Sequence, residues 1–426
     1  LTQLQALSKE ELQSRLEELT KQYEDYQGEN LNLNMSRGKP APEQLDLSME
    51  MLDLFDQHST LHAENGIDLR NYGGLDGIPE AKQFFAQMLA VDTKEVIIGG
   101  NSSLTLMHDT ISRAMFHGVA GGARPWKDEA KIKFLAPSPG YDRHFAICEH
   151  FGIELIVVEM QEDGPNMDEV EALVREDELI KGIWCVPKYS NPSGAIYSDE
   201  VVERLTNMET KADDFRIFWD DAYTVHHLSD EKIEVKNVLE TAKAFGNSDR
   251  PYVFASTSKV TFPGSGVAAF AASEENIADA KKHMSVQTIG YDKINQLRHV
   301  RFFTDVISLE AHMEKHAAII KPKFDLVYNT FREQLGNKGI ASWSEPKGGY
   351  FISLDTPAGT ATDIVQMAKE AGVTLTGAGA TFPYGKDPED KNIRIAPTFP
   401  TLKELEKALD VLCTCIELKS VEKLLS

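Results

Sequence analysis

The sequence predicts an α/β protein with a large domain built on a mostly parallel sheet flanked by helices, followed by a smaller α+β domain. Three observations carry this. Six short apolar runs follow one another between Glu95 and Phe270, helix-patterned stretches separate them, and beyond residue 274 the chain turns to long, charged, helix-favouring sequence. The runs are VII (96–98), KIKFLAP (131–137), IELIVVE (153–159), GIWCVP (182–187), FRIFWDD (215–221) and PYVFAS (251–256). Short runs with little polar alternation suit strands buried on both faces. Their separation by helix-like stretches near 102–117, 141–151, 166–176 and 198–208 supplies the crossovers that parallel pairing needs.

The flanking elements follow the same logic. Ser8 followed by Glu11 has the spacing of a capping box, and leucines at helical intervals then continue to about Tyr26, predicting an amphipathic opening helix packed on the rest of the chain. After the helical stretch 274–335 come GGYFISL (348–354), a helix near 361–371 and a final helix near 402–420. The expected organisation is residues 1–60 as a helix and segment joining the small domain, 61–310 as the large domain, and 311–426 as the small one, with the junction inside the long helical stretch. With no internal repeat and no low-complexity linker, the two units should pack together.

Composition narrows the function. The 426 residues include 67 acidic and 44 basic side chains, a formal net charge of −23, which disfavours nucleic acid and anionic membrane surfaces as partners. A small anionic substrate is still compatible, because a few arginines in one cleft outweigh a screened global field. Cys148, Cys185, Cys413 and Cys415 form no CxxC pair, so a reducing, cytoplasmic setting with core thiols is expected and a metal site is not. No apolar run approaches the roughly 20 residues of a membrane span, and the acidic N-terminus lacks the cationic start and apolar centre of a signal peptide.

Ligands of such sheets bind beyond the carboxyl ends of the strands. There the chain places Asn101-Ser102-Ser103 after the first run, Asn191-Pro192-Ser193-Gly194 after the fourth, Asp220-Asp221-Ala222-Tyr223 after the fifth and Ser256-Thr257-Ser258-Lys259 after the sixth. A lysine there becomes nucleophilic once burial or a neighbouring cation lowers its pKa. Ser102 and Ser103, opening a helix after Gly99-Gly100, aim amides and hydroxyls at an anion. Singly, each motif also fits a turn, a helix cap or a surface lysine.

Together and in this order, flanked by the early Tyr72-Gly73-Gly74 and the late Arg394, the motifs resemble the aspartate aminotransferase superfamily, the fold-type I pyridoxal-phosphate enzymes, over most of the chain. The wordings NMSRGKP and FPGSGVA resemble a divergent bacterial subgroup of aspartate aminotransferases. The resemblance implies pyridoxal 5′-phosphate bound to Lys259, Asp220 at the pyridine nitrogen, Asn191 and Tyr223 at the phenolic oxygen, and Tyr141 stacked on the ring. His144, on the same helical face as Tyr141, is expected to contact Asp220 from behind, whereas Asp221 should point elsewhere. Asn101, Ser102, Ser103, Ser256 and Ser258 are expected around the phosphate, and Tyr72 is expected to reach the neighbouring site across a homodimer. Arg394 is implied for the substrate α-carboxylate, and Gly38 for close backbone approach.

Two departures stand out. The arginine that relatives carry about eight residues after the lysine is missing from Phe262–Val267, where Ser265 is a candidate replacement donor. The arginine for a distal carboxylate is missing from Gln287–Tyr291. Arg37 is expected in its place, with Lys39 and Arg143 behind it. The expected activity is transfer of an amino group from an L-amino acid, aspartate favoured, to a 2-oxo acid such as 2-oxoglutarate by a ping-pong mechanism. A transaminase for an aromatic or other amino acid, a lyase on the same fold, and more remotely a ligand-sensing regulatory module are the alternatives.

Overall fold

The computed structural model describes residues 3–426. All six apolar runs form strands: β1 (Val96–Ile98), β2 (Lys133–Ser138), β3 (Glu154–Gln161), β5 (Ile180–Cys185), β6 (Arg216–Asp220) and β7 (Pro251–Ser256), joined by the short β4 (Gly164–Pro165) and by β8 (Ala268–Ala271). The sheet order is β1-β8-β7-β6-β5-β2-β3-β4. Strands β7, β6, β5, β2 and β3 run parallel, while β8 is antiparallel to both its neighbours and β4 to β3. Strands β4 and β8 lie outside the six runs, and β8 is the longer of the two. Its Ala-Ala-Phe-Ala has weak strand propensity, and pairing on both edges decides its conformation.

Helices cover both faces of this sheet. Along β6, Ile217 and Trp219 face a core shared with Phe84, Val202 and Leu239, whereas Phe218 faces a second core with Leu106, Phe145 and Ile277. The helices in chain order are α1 (Lys9–Gly28), α2 (Pro79–Leu89), α3 (Ser103–His117), α4 (Asp142–His150), α5 (Met167–Glu176), α6 (Asp199–Asn207) and α7 (Val238–Ala244). Strands β2 and β5 approach so closely that a Cβ on Gly182 would lie 2.5 Å from the Phe134 ring.

The stretch 274–335 is not one helix but three: α8 (Glu274–Gln287), α9 (Lys293–Phe302) and α10 (Val306–Gln334). Asp292 and Asp305 explain the breaks, since each accepts a backbone N–H three residues on and so starts a new helix. Leu309 and Met313 at the start of α10 belong to the sheet core, while Ile320, Phe324, Val327 and Phe331 further along belong to a third core.

That third core joins the two ends of the chain. Helix α1, capped by Ser8 and Glu11 as the spacing predicts, buries Leu12, Leu19 and Tyr26 among residues of α11 (Ala361–Glu370) and α12 (Leu402–Leu425). A three-stranded antiparallel sheet of β9 (Ser342–Trp343), β10 (Ile352–Asp355) and β11 (Asn392–Ile395) completes the unit. All four cysteines are free and buried, and no helix among the described residues is long and apolar enough to cross a membrane.

Glu417 on α12, 5% exposed, fastens this arrangement. It accepts hydrogen bonds from Arg15 Nε at 2.8 Å, Arg15 Nη2 at 2.9 Å and Lys338 Nζ at 2.6 Å, and these donors hold its carboxyl below the usual range against the opposing effect of burial. Removing it leaves Lys338 without its carboxylate and Arg15 with only the exposed Glu18. Glu417→Ala is expected to lower the unfolding free energy by about 3 kcal/mol in urea titrations, against less than about 0.5 kcal/mol for the exposed Glu10→Ala.

Candidate active site

The carboxyl ends of β5, β6 and β7 open onto a cavity of about 550 Å³. Its wall contains Gly38, Arg37, Ser102, Ser103, Tyr141, Asn191, Asp220, Tyr223, Ser256, Ser258, Lys259 and Arg394, residues drawn from segments far apart in the chain. Two predicted site residues lie elsewhere. Asn101 is exposed beside the cavity, with Nδ2 3.5 Å from the Pro263 carbonyl, and Tyr72 is 81% exposed on the outer surface.

Asp220 ends β6 and is buried. Its Oδ2 lies 2.8 Å from His144 Nε2, the contact expected of a residue three positions after Tyr141 on α4. The His144 ring stacks on Trp184 at 4.3 Å, which fixes its plane. Asp220 Oδ1 is buried with no hydrogen-bond partner. A buried carboxylate oxygen left open in this way calls for a donor from outside the chain. Asp221 points away, as alternation along a strand requires, and lines a separate depression with Lys188 and Trp219.

Lys259 stands opposite, with Nζ 5.3 Å from the centre of the Tyr223 ring and 5.6 Å from that of Tyr350. Burial lowers its pKa; the Asp220 carboxylate opposes the shift, and the Arg394 cation reinforces it. The amine is thereby moved towards its neutral, nucleophilic form. Burial likewise keeps the Tyr141 and Tyr223 phenols protonated.

Arg394, on β11, holds its guanidinium carbon 4.8 Å from the centre of the Phe351 ring. Its Nη1 donates to Asp142 Oδ1 at 2.8 Å and to Asn191 Oδ1 at 3.4 Å, while its Nε is buried without a partner. One edge of the guanidinium is therefore fixed and the other is open. Gly38 faces the same ring, so closely that a Cβ there would meet Phe351 Cζ at 2.4 Å. At the other end, Ser102 caps α3 by accepting the Leu104 N–H, and Ser256 Oγ donates to Ser258 Oγ at 3.0 Å. The start of α3 thus presents backbone N–H groups beside several hydroxyls. Ser265 is not in the wall; its carbonyl accepts from Asn295 Nδ2 at 3.0 Å.

Among the described residues, Arg37 and Arg143 line the cavity without an ion pair or a side-chain hydrogen bond. Lys39 turns outward over the Phe399 ring. Sequence reasoning did not find Asp142, Phe351 or the Thr374–Gly377 strip, which also line the site. Asp142 adjoins Tyr141 and was open to notice as a helix-starting acid; the other segments carry no chemical signature and arrive by packing.

The turn bearing Lys259 is backed by buried histidines. Burial pushes His299 and His316 down to about 4 and His226 well below its usual range.

A parallel sheet that turns such a lysine, a half-satisfied aspartate and a half-open arginine fork into one cleft is the architecture of an aminotransferase. The chain belongs to the aspartate amino-transferase family, whose profile matches residues 7–426. An aspartate aminotransferase of Corynebacterium glutamicum is 45% identical over 406 residues, covering 95% of this chain and 94% of that one. The crystal structure of an aspartate transaminase from C. glutamicum superimposes with a TM-score of 0.97 at 44% identity, covering 99% of each chain. At the level of fold alone, an α-aminoadipate aminotransferase from Thermus thermophilus, complexed with N-(5′-phosphopyridoxyl)-L-leucine, matches with a TM-score of 0.75 at 19% identity over 92% of this chain and 93% of that one.

The buried histidines set a pH dependence. A histidine whose folded pKa is depressed binds fewer protons folded than unfolded, so stability rises with pH between the two values and is lost on acidification. For His299 and His316 that window runs from the ordinary 6.5 down to about 4. The thermal midpoint is expected to fall steadily as pH is lowered across it. A midpoint unchanged down to pH 4 would contradict the burial of neutral imidazoles.

Proposed function

We propose that this aminotransferase holds pyridoxal 5′-phosphate on Lys259 and moves the amino group of an L-amino acid, aspartate first, to a 2-oxo acid, 2-oxoglutarate first, in two ping-pong half-reactions. The observation that carries the cofactor is the buried, unpartnered Asp220 Oδ1, which faces a cavity and needs a donor; a protonated pyridine nitrogen is one. The phosphopyridoxyl group in the fold neighbour from T. thermophilus supports the same reading. When bound, the cofactor supplies an electron sink for the electrons released at the donor's Cα.

The chain's own residues then divide the work. Asp220, oriented by His144, holds the proton on the ring nitrogen. Tyr141 covers a ring face, and Asn191 with Tyr223 hydrogen-bonds the phenolic oxygen. Ser102, Ser103, Ser256 and Ser258, with Asn101 at the edge and the N–H groups opening α3, bind the phosphate in the absence of the arginine missing after Lys259. Lys259, with its amine neutral, would take the proton from the donor's Cα and return it as general base and acid.

Donor recognition falls to Arg394 and the 36–38 arm. The unengaged edge of the Arg394 fork takes the α-carboxylate, and Gly38 admits backbone close to it. Arg37, unpaired in the cavity wall, takes the distal carboxylate of aspartate, in keeping with the aspartate aminotransferase of C. glutamicum that the chain resembles. The exposed Tyr72 is assigned to the phosphate of a second copy, making the functional unit a homodimer, and the free cysteines suit a cytoplasmic enzyme.

An absorption spectrum tests this directly. The purified protein should show a band between about 360 and 430 nm that moves towards about 330 nm on adding L-aspartate, and Lys259→Ala should lack the starting band. A band that ignores aspartate but responds to an aromatic amino acid would reassign the donor. Arg394→Lys, which keeps the charge but loses the planar fork, is expected to lower kcat/KM by about 100-fold, equivalent to about 2–3 kcal/mol of charge-assisted hydrogen bonding.

A further inference from the structure

A fully buried glutamine outside the cavity, Gln44, joins three segments of the site through hydrogen bonds whose directions are forced. The Ala41 N–H has Gln44 Oε1 as its acceptor at 2.9 Å, which orients the amide. Gln44 Nε2 then donates to the Tyr350 hydroxyl at 2.9 Å and to His316 Nδ1 at 3.1 Å. Since His316 Nδ1 accepts, the imidazole carries its proton on Nε2. That N–H lies 2.9 Å from the Val260 carbonyl and 3.1 Å from His312 Nε2, and the carbonyl is the nearer acceptor. Val260 is the residue after Lys259, and its carbonyl also lies 2.9 Å from His312 Nε2, one turn earlier on α10. Gln44, His316 and Tyr350 are all 2% exposed or less.

Each end of this chain of bonds bears on the reaction. Gln44 closes the arm that begins at Ser36, Arg37 and Gly38. Tyr350 precedes Phe351, the ring that supports Arg394 and touches Gly38. Val260 anchors the turn that aims Lys259. A buried polar chain of this kind is costly to leave half satisfied, so its members adopt one arrangement together.

We propose that Gln44 and His316 are positioning residues for amino-group transfer, holding the donor-binding arm, the base of Arg394 and the Lys259 turn in one register. Neither touches substrate; they act through Arg37, Phe351 and the Val260 carbonyl. The ring must stay neutral for Nδ1 to accept from Gln44, and burial keeps it so. The role rests on Lys259 being the cofactor lysine.

The test compares the wild type with Gln44→Leu, His316→Leu and His316→Gln in the holoenzyme. Gln at 316 can still donate to the Val260 carbonyl and accept from Gln44, whereas Leu at either position cuts the chain. Amide hydrogen exchange of the peptide covering 257–261 reads the turn without reference to the cofactor. It should quicken about 10-fold in both Leu variants. The pH midpoint of the lysine-bound cofactor's absorption should rise by at least about half a unit, as Lys259 regains access to water. The donor half-reaction should slow about 10-fold, and His316→Gln should stay within about twofold of wild type on every readout.

Faster exchange with an unchanged absorption midpoint and half-reaction would overturn the proposal, leaving Gln44 a packing residue. Unchanged exchange would overturn it at the first step. If the wild type forms no lysine-bound chromophore with added cofactor, the assignment of Lys259 itself falls, and the role of Gln44 in transfer falls with it.

Discussion

One buried carboxylate organises the site. Asp220 sits at the end of a central strand with one oxygen held by His144 and the other left open. No donor of the chain reaches the second oxygen, so the fold keeps an unsatisfied acceptor in the wall of the cavity that Lys259 also lines. Neighbouring features follow from holding it there. Helix α4 starts where it does so that His144 reaches Asp220, and the same helix start delivers Tyr141 and Asp142 to the cavity. Trp184, from the adjacent strand, fixes the imidazole plane.

Charge is distributed against the global trend. The chain as a whole is strongly acidic, yet the cavity wall carries Arg37, Arg143, Lys259 and Arg394. At separations of a few ångströms these local cations act on a ligand far more strongly than distant surface carboxylates screened by salt. Two acids stand among them, Asp220 and Asp142, and Asp142 is placed against Arg394. By engaging only Nη1 it fixes the guanidinium plane while leaving an edge for an incoming carboxylate. The phosphate end, by contrast, relies on hydroxyls and the N–H groups of a helix start, which bind an anion through oriented dipoles rather than a countercharge.

Much of this was legible in the sequence because it depends on local rules. Six buried strands were readable from apolar runs, the opening helix from its capping box, and the lysine, aspartate and asparagine from their order at strand ends, with Arg394 implied by the family resemblance. The reading failed where tertiary contacts outweigh local preference. Strand β8 is alanine-rich and exists because both edges are paired. The helical stretch after residue 274 breaks at two aspartates whose capping role is visible only once the next turn forms.

The sequence by itself determined the α/β class and the strand-end motif that contains Lys259, because hydrophobic period and motif order are properties of neighbours along a chain, and the residues expected around that lysine came from the family resemblance the motifs carry. Only the tertiary structure decided that Asp220 has one oxygen free, that Asp142 shares Arg394, that Asn101 and Tyr72 lie outside this chain's cavity wall, and that Gln44 reaches His316 and Tyr350. Those are facts about atoms hundreds of residues apart in sequence, and their distances are set by the packing of the sheet, the long helix and the joined chain ends rather than by any local pattern.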